Sequence, residues 1–236
     1  MKFNVDFAGL SIEVNCKYDY TKEYCKNYLT YRKSDYSISV SEADIQNEID
    51  ISDFTPSPGY AESICVYREV AKRLPDFKRM VFHGAVIELD GKGYMFTAPS
   101  GTGKTTHIML WEKLFGAQIV NGDKPILHIE NGIVTAYATP YAGKEHFENH
   151  SSVNLSGICI IHRGEVNKIR RVKAGEVLSE IVSQMYLPPT ALSVNKTLDL
   201  LSELVESVPV YVLECNISDE AAITSYEAMT GKKYED

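Results

Sequence analysis

His83-Gly-Ala-Val-Ile-Glu-Leu-Asp-Gly-Lys-Gly-Tyr-Met-Phe-Thr-Ala-Pro-Ser-Gly-Thr-Gly-Lys-Thr-Thr106 is the stretch whose reading decides the fold. Its second half, Ala98 to Thr105, fits a relaxed phosphate-binding pattern: a small residue, four of any kind, then Gly-Lys-Ser/Thr. The apolar run Tyr94 to Thr97 predicts a strand before it, and Thr105 to Phe115 a helix after it, which is the setting the pattern requires. Ser100, Gly101 and Gly103 let the backbone wrap an anion with successive N–H groups turned inward, Thr102 lying among them. The helix start at Thr105 and Thr106 adds unpaired N–H groups and the positive end of its dipole. Lys104 is then placed to reach the outer phosphates, and the Thr105 hydroxyl to hold Mg²⁺.

The first half of the stretch narrows the fold. His83 to Leu89 reads as a strand, Asp90-Gly91-Lys92-Gly93 as a tight turn, and Tyr94 to Thr97 as the return strand, since Asp-Gly between apolar runs is a hairpin signal. The strand entering the loop is therefore half of an antiparallel hairpin. In the common doubly wound nucleotide-binding folds it is instead parallel and reached through a helix.

Beyond the loop, Ile108, Trp111, Leu114 and Phe115 give the helix a buried face and Gly116 a C-terminal cap. Gln118 to Asn121 reads as a short strand leading to Gly122-Asp123. An acid at this point suits a cation opposite Thr105, a Walker-B-like role, although a plain turn before Lys124-Pro125 has the same composition. A second hairpin, Pro125 to Glu130 and Ile133 to Ala138, turns at Asn131-Gly132. Thr139-Pro-Tyr-Ala-Gly-Lys-Glu-His146 gathers Lys144, Glu145 and His146 on one loop, which by itself reads as a solvated turn. Val153 to Ile161 reads as a central strand. Arg163, Lys168, Arg170 and Arg171 read as a solvated basic edge, with contact to phosphates as the alternative.

The flanks look like scaffold. Alternation at Phe3, Val5, Phe7, then Leu10, Ile12, Val14, Cys16, and again at Tyr36, Ile38, Val40 predicts three strands. A helix carrying Tyr60, Ile64, Tyr67, Ala71 and Leu74 stops at Pro75. Residues 1–75 thus form a small N-terminal α+β lobe with no evident chemistry, and residues 76–236 the core. The tail predicts helices over about Ala174 to Met185 and Ala191 to Glu206, a strand Val210 to Cys215, and a helix from Ser218 to Met229. Pro188-Pro189 breaks the tail and stands as an edge of a substrate groove.

Composition bounds the function. The 236 residues carry a net charge of −8, which argues against binding to a nucleic-acid backbone. No secretory signal and no apolar run of about 18 residues is visible, so a cytoplasmic protein without membrane partners is expected. The five cysteines are scattered with no C-x-x-C pair, as free thiols in a reducing compartment would be.

The His83–Thr106 block resembles the HPr kinase/phosphorylase family of bacteria and, more distantly, the ATP-dependent phosphoenolpyruvate carboxykinases. The likeness extends over roughly residues 60 to 190, including Val120-Asn-Gly-Asp123, Thr139–Glu145 and Ile161–Ile169, and matches the shorter HPr-kinase-like proteins. The N-terminal lobe does not resemble that of the full regulatory enzyme. The resemblance implies an α/β phosphate-loop kinase core with a mixed sheet, and Mg²⁺-dependent transfer of a phosphoryl group from ATP to a hydroxyl, commonly a protein serine. It also implies a nucleoside triphosphate and a protein or peptide acceptor as partners, a homo-oligomer and a reverse phosphorylase activity being left open.

One departure matters. Full HPr kinases have two adjacent acids after the loop helix, the first resembling a general base, and here Gly122 occupies that first position. Three candidates for the base remain: Asp123, which is favoured, His83 at the family's histidine position, and Glu145. His83 and Lys144 support the transfer. A small-molecule hydroxyl kinase, and a nucleotide-binding regulatory module without transfer, are the alternatives.

Overall fold

Alternating apolar residues set up the first sheet. Strands β1 (Lys2–Phe7) and β2 (Leu10–Asn15) pair antiparallel across Gly9, and β3 (Leu29–Thr30) and β4 (Tyr36–Ser39) flank them in the order β3-β1-β2-β4. The computed structural model describes residues 1–235. Two helices escape the sequence reading. The Tyr-rich segment after β2 holds the short α1 (Asp19–Tyr24), and α2 (Glu42–Ile51) begins with a capping box between Ser41 and Asp44. Only Ile45 and Glu48 of α2 are buried, so its apolar periodicity is too weak to read. Helix α3 (Pro58–Arg73), capped by the Ser57 side chain, has the expected buried face. Val66, Tyr67, Val70 and Ala71 pack on the small sheet in one cluster that continues into Val81, Ile126 and Tyr141.

The second sheet is mixed. It takes β5 (Arg79–Val81), β6 (Ala85–Leu89), β7 (Lys92–Thr97), β8 (Gln118–Asn121), β9 (Ile126–Glu130), β10 (Ile133–Tyr137), β11 (Ser152–Arg163), β12 (Lys168–Val172) and β13 (Val210–Cys215). The order is β5-β9-β10-β11-β7-β6-β8, with β13 beside β11 and β12 beside β13. β6 and β7 form the expected antiparallel hairpin, Val86 opposite Met95, and Asp90 and Gly91 both adopt positive φ at its turn. β7 then runs parallel to β11, and β11 parallel to β13. The close approach of β7 to β11 requires Gly93: a Cβ there would lie 2.7 Å from Val153 Cγ1 and 3.0 Å from the Asn154 carbonyl.

Helix α4 (Lys104–Phe115) follows β7 through the Ala98–Gly103 loop and closes on Gly116 in the left-handed region. The tail departs from expectation before Met185. In place of a helix over Ala174 to Met185, a tight turn at Ala174–Glu176 leads to the six-residue α5 (Leu178–Ser183). The backbone then straightens, and Met185 bridges Phe82 beside β5. Pairing with a sheet edge here replaces helical hydrogen bonds. α6 (Ala191–Ser207) and α7 (Asp219–Thr230), the latter capped by Ser218, stand where predicted. Among the described residues all five cysteines are free and buried, and no helix is long and apolar enough to cross a membrane.

A saturated hydroxyl ties α4 to α7. Ser225 Oγ donates to the Ala222 carbonyl at 2.9 Å, so its lone pairs accept from Trp111 Nε1 and from His107 Nε2, each at 2.9 Å. Trp111 is fully buried, and burial pushes the His107 pKa down from 6.5 to about 4. Unfolding lets His107 take a proton that the folded protein refuses. Stability is therefore intact above pH 6.5 and falls between 6.5 and about 4, by up to ~1.4 kcal/mol per pH unit. Urea titrations of the wild type and His107→Gln are expected to show this acid loss in the wild type alone, and equal slopes would refute it. Ser225→Ala strands two buried N–H donors and is expected to cost about 2–4 kcal/mol in the same assay.

Candidate active site

Asn121 sets the geometry of the acid. Its buried Oδ1 accepts from the backbone N–H groups of Asp123 (3.0 Å) and Lys124 (2.9 Å), while its Nδ2 donates to the Thr139 carbonyl at 2.9 Å. This Asx-type turn at the end of β8 aims Asp123 back at the loop. His83 is fixed as firmly: its N–H donates to the Gln184 carbonyl at 2.7 Å, and its own carbonyl accepts from the Thr97 hydroxyl at 2.8 Å.

The imidazole Nδ1 lies 2.9 Å from Gln184 Oε1, an acceptor, so Nδ1 carries a proton. Nε2 lies 2.7 Å from Lys104 Nζ and 3.1 Å from Asp123 Oδ1, between a donor and an acceptor. In the neutral ring Nε2 accepts from the lysine; in the imidazolium it donates to the carboxylate. Lys104 Nζ is itself 3.5 Å from Asp123 Oδ1, and Lys124 Nζ bonds Asp123 Oδ2. Burial would raise the Asp123 pKa, but the His83 hydrogen bond and the Lys124 and Lys104 charges outweigh it and hold the carboxyl ionised well below the usual range. Lys104 is only 8% exposed, and burial draws its pKa below the ordinary lysine value against the pull of Asp123.

His83, Lys104 and Asp123 line one cleft of about 440 Å³ together with Ser100, Gly101, Gly103, Thr105 and Thr106. Gly101 and Gly103 have φ of +76° and +126°, and a Cβ on either would meet nothing within 4 Å, so open space lies over the loop. Gly103, the residue before α4, provides no side-chain cap, which leaves the first-turn N–H groups of α4 without a side-chain acceptor. Lys144 and Glu145 line the cleft from the opposite loop, both exposed. Of the expected nucleotide-contacting residues, Thr102 faces elsewhere: it lines a smaller cavity with Arg163 and Ile217 on the far flank of the loop.

The structure leaves no room for a side chain at Gly122. A Cβ at Gly122 would sit 2.8 Å from the Ala142 carbonyl and 3.3 Å from Phe147 Cβ, and the Gly122 N–H donates to the Phe147 carbonyl at 2.8 Å. The 139–147 loop fills the space a side chain there would need. That loop is no solvated turn at its base, where Tyr141 and Ala142 are buried.

Three contributors were not assigned to the site from sequence. Gln184 reaches His83 across 101 positions and Lys124 neutralises Asp123, neither announced by any motif. Arg163, read as part of a solvated edge, donates through Nε to the Thr102 carbonyl at 3.2 Å and through its other nitrogen to the Gly101 carbonyl. Its partners in that edge behave as expected, Lys168 pairing with Glu214 and Arg170 with Glu176. Holding the Thr102 carbonyl outward turns the Gly103 N–H the other way. Under the sequence expectation that the loop holds ATP, Arg163→Ala is expected to weaken binding of an ATP analogue by about tenfold through loss of two charge-assisted bonds. Titration calorimetry checks this, and unaltered affinity would refute it.

No family model matches the chain, and no curated protein matches it. Among solved structures it is similar to the HPr(Ser) kinase/phosphatase from Coxiella burnetii, at 12% identity, over 64% of this chain and 93% of that one, with a TM-score of 0.36. A likeness this slight carries no argument about residues or activity.

Proposed function

We propose that the chain is an HPr-kinase-like phosphotransferase that moves the γ-phosphate of ATP to a hydroxyl, the favoured acceptor being a serine of a protein or peptide. The observation that carries this reading is the convergence of Lys104, His83 and Asp123 on a cleft floored by an open glycine loop and a helix start. The residues fit a triphosphate: positive-φ glycines, uncapped N–H groups and a buried ammonium suit an anion. They fit Mg²⁺ as well, with Thr105 and the ionised Asp123 as ligands. Among the described residues no cluster of three or more His, Cys, Asp or Glu forms a metal site, and Mg²⁺ beside a nucleotide needs only one or two protein oxygens. When bound, Mg²⁺ neutralises charge on the phosphates.

The protein's own part is positioning and charge. Lys104 swings from Asp123 and His83 to the outer phosphates, and Gly101 to Thr106 hold the chain in line. The acceptor oxygen forms a bond to Pγ as the bond from Pγ to the bridging oxygen breaks, and ADP leaves with that electron pair. The hydroxyl proton passes to Asp123. A weak base suffices, because in a loose transition state the proton leaves late, once phosphorus has made the oxygen acidic. His83 supports the carboxylate, and Lys144 and Glu145 line the cleft from the opposite loop.

Incubation with γ-labelled ATP and either extract proteins or a metabolite pool tests the reading. Acid-precipitable label supports a protein or peptide acceptor, and soluble phosphorylated product a small one. Binding of ATP without any labelled acceptor would overturn transfer in favour of a regulatory module.

A further inference from the structure

A second cavity, of about 430 Å³, meets the phosphate cleft at His83, which lines both. Helix α3 forms one wall with Tyr67, Arg68 and Ala71, and Met185 and Tyr186 form another. The N-terminal segment, expected to be scaffold, thus supplies one wall of this region through α3. The straightened chain after α5 has the same effect: Gln184 fixes His83 while Met185 and Tyr186 line the cavity. Pro188 and Pro189, expected at a groove edge, line neither space.

Resting on the phosphotransferase reading, we infer that this cavity is the acceptor subsite, and that its occupant is an extended, serine-bearing peptide segment with apolar flanks and an acidic residue. Position argues first. An acceptor here reaches His83, which lines both spaces, and Lys124, whose ammonium pairs with Asp123, in a cavity that no residue of the Ala98–Gly103 loop lines. Size argues next: the volume lies within the range of about 300–1,000 Å³ typical of ligand sites, room for a serine and its immediate neighbours but not for a folded surface.

Lining chemistry completes the case. Tyr67, Ala71, Met185 and Tyr186 offer apolar and aromatic surface for flanking side chains. The basic groups on the wall are Arg68, Lys124 and His83, beside the phenols of Tyr67, Tyr141 and Tyr186, which burial keeps neutral, with no carboxylate among the lining residues. Arg68 is anchored by Glu48 and Lys124 by Asp123, both carboxylates standing outside the lining, so the ionic side chains that face the cavity are cationic. A negative residue on the segment meets complementary charge, and a basic one meets like charge. The transfer balances as before: the serine Oγ–Pγ bond forms, the bond from Pγ to the bridging oxygen breaks, ADP departs, and the serine proton goes to Asp123.

The experiment uses the full chain, γ-labelled ATP and short synthetic peptides with one serine, apolar neighbours and either Glu or Lys nearby. Wild type is expected to label the Glu peptides at least about tenfold faster than the Lys peptides. Ala71→Phe fills the cavity and is expected to lower labelling by about 10²-fold while a fluorescent ATP analogue binds as before. Should Ala71→Phe fail to fold, Ile64→Trp at the half-buried rim of α3 makes the same test. Labelling of both variants at the wild-type rate would overturn the subsite and leave the phosphotransferase reading standing. Label in a metabolite pool with none in the peptides, or a preference for Lys, would overturn the peptide occupant. Wild type that binds no ATP and labels nothing would remove the underlying reading and this one together.

Discussion

Lys104→Ala is expected to abolish γ-phosphate transfer, with a loss of at least about 10²–10³-fold. The ammonium is buried, close to both His83 and Asp123; of the neighbouring cations, Lys124 is engaged on the far oxygen of Asp123, Arg163 on the outer side of the loop, and Lys144 stands exposed on the opposite loop. Lys104→Arg should rescue little. A planar fork cannot occupy the space of a compact ammonium held between an imidazole and a carboxylate. The fold should survive, because α4 is held through Trp111 and His107 and not through this side chain. Labelled-ATP transfer and a melting curve on the same preparation make the check. Transfer at the wild-type rate with Lys104 absent would sink the proposed function outright.

Asp123→Asn is expected to cost about as much, 10²–10³-fold in transfer, but by a different route. The amide keeps the shape, and the backbone remains held by Asn121, so the turn persists. What disappears is the negative charge that Lys104, Lys124 and His83 converge on, and with it an anionic cation ligand and the proton acceptor. Nucleotide binding without Mg²⁺ should change little or strengthen, since Lys104 is released toward the phosphates. The Mg²⁺ dependence of binding should vanish. Calorimetry with and without Mg²⁺ separates these outcomes, and an unchanged Mg²⁺ dependence would show that Asp123 is not the cation site. Both tests act within the phosphate cleft, whereas the Ala71→Phe test acts only in the neighbouring cavity.

Much of the site was legible because its signals are local. A hairpin declared by Asp90-Gly91, a loop rich in glycine and a helix with a buried stripe each follow from a few consecutive residues. Asp123 was readable for the same reason, standing at the end of a four-residue strand beside an Asn that builds its turn. Gln184, Lys124 and Arg163 were not placed, since their roles depend on partners 101, 1 and about 60 positions away and on side-chain directions no pattern encodes. Helix α2 was missed because it buries one side too sparsely to leave a period.

By itself the sequence determined the antiparallel hairpin before the loop, the glycine-rich turn between strand and helix, and the presence of His83, Lys104 and Asp123. Backbone propensity and turn chemistry suffice for these, and both act within a few residues. Only the tertiary structure decided that the three side chains meet, that the 139–147 loop leaves no room for a side chain at Gly122, and that α3 walls a second cavity that includes His83. Those facts depend on packing between segments distant in the chain, where a shared core and the exclusion of overlapping atoms, and no local preference, fix what lies beside what.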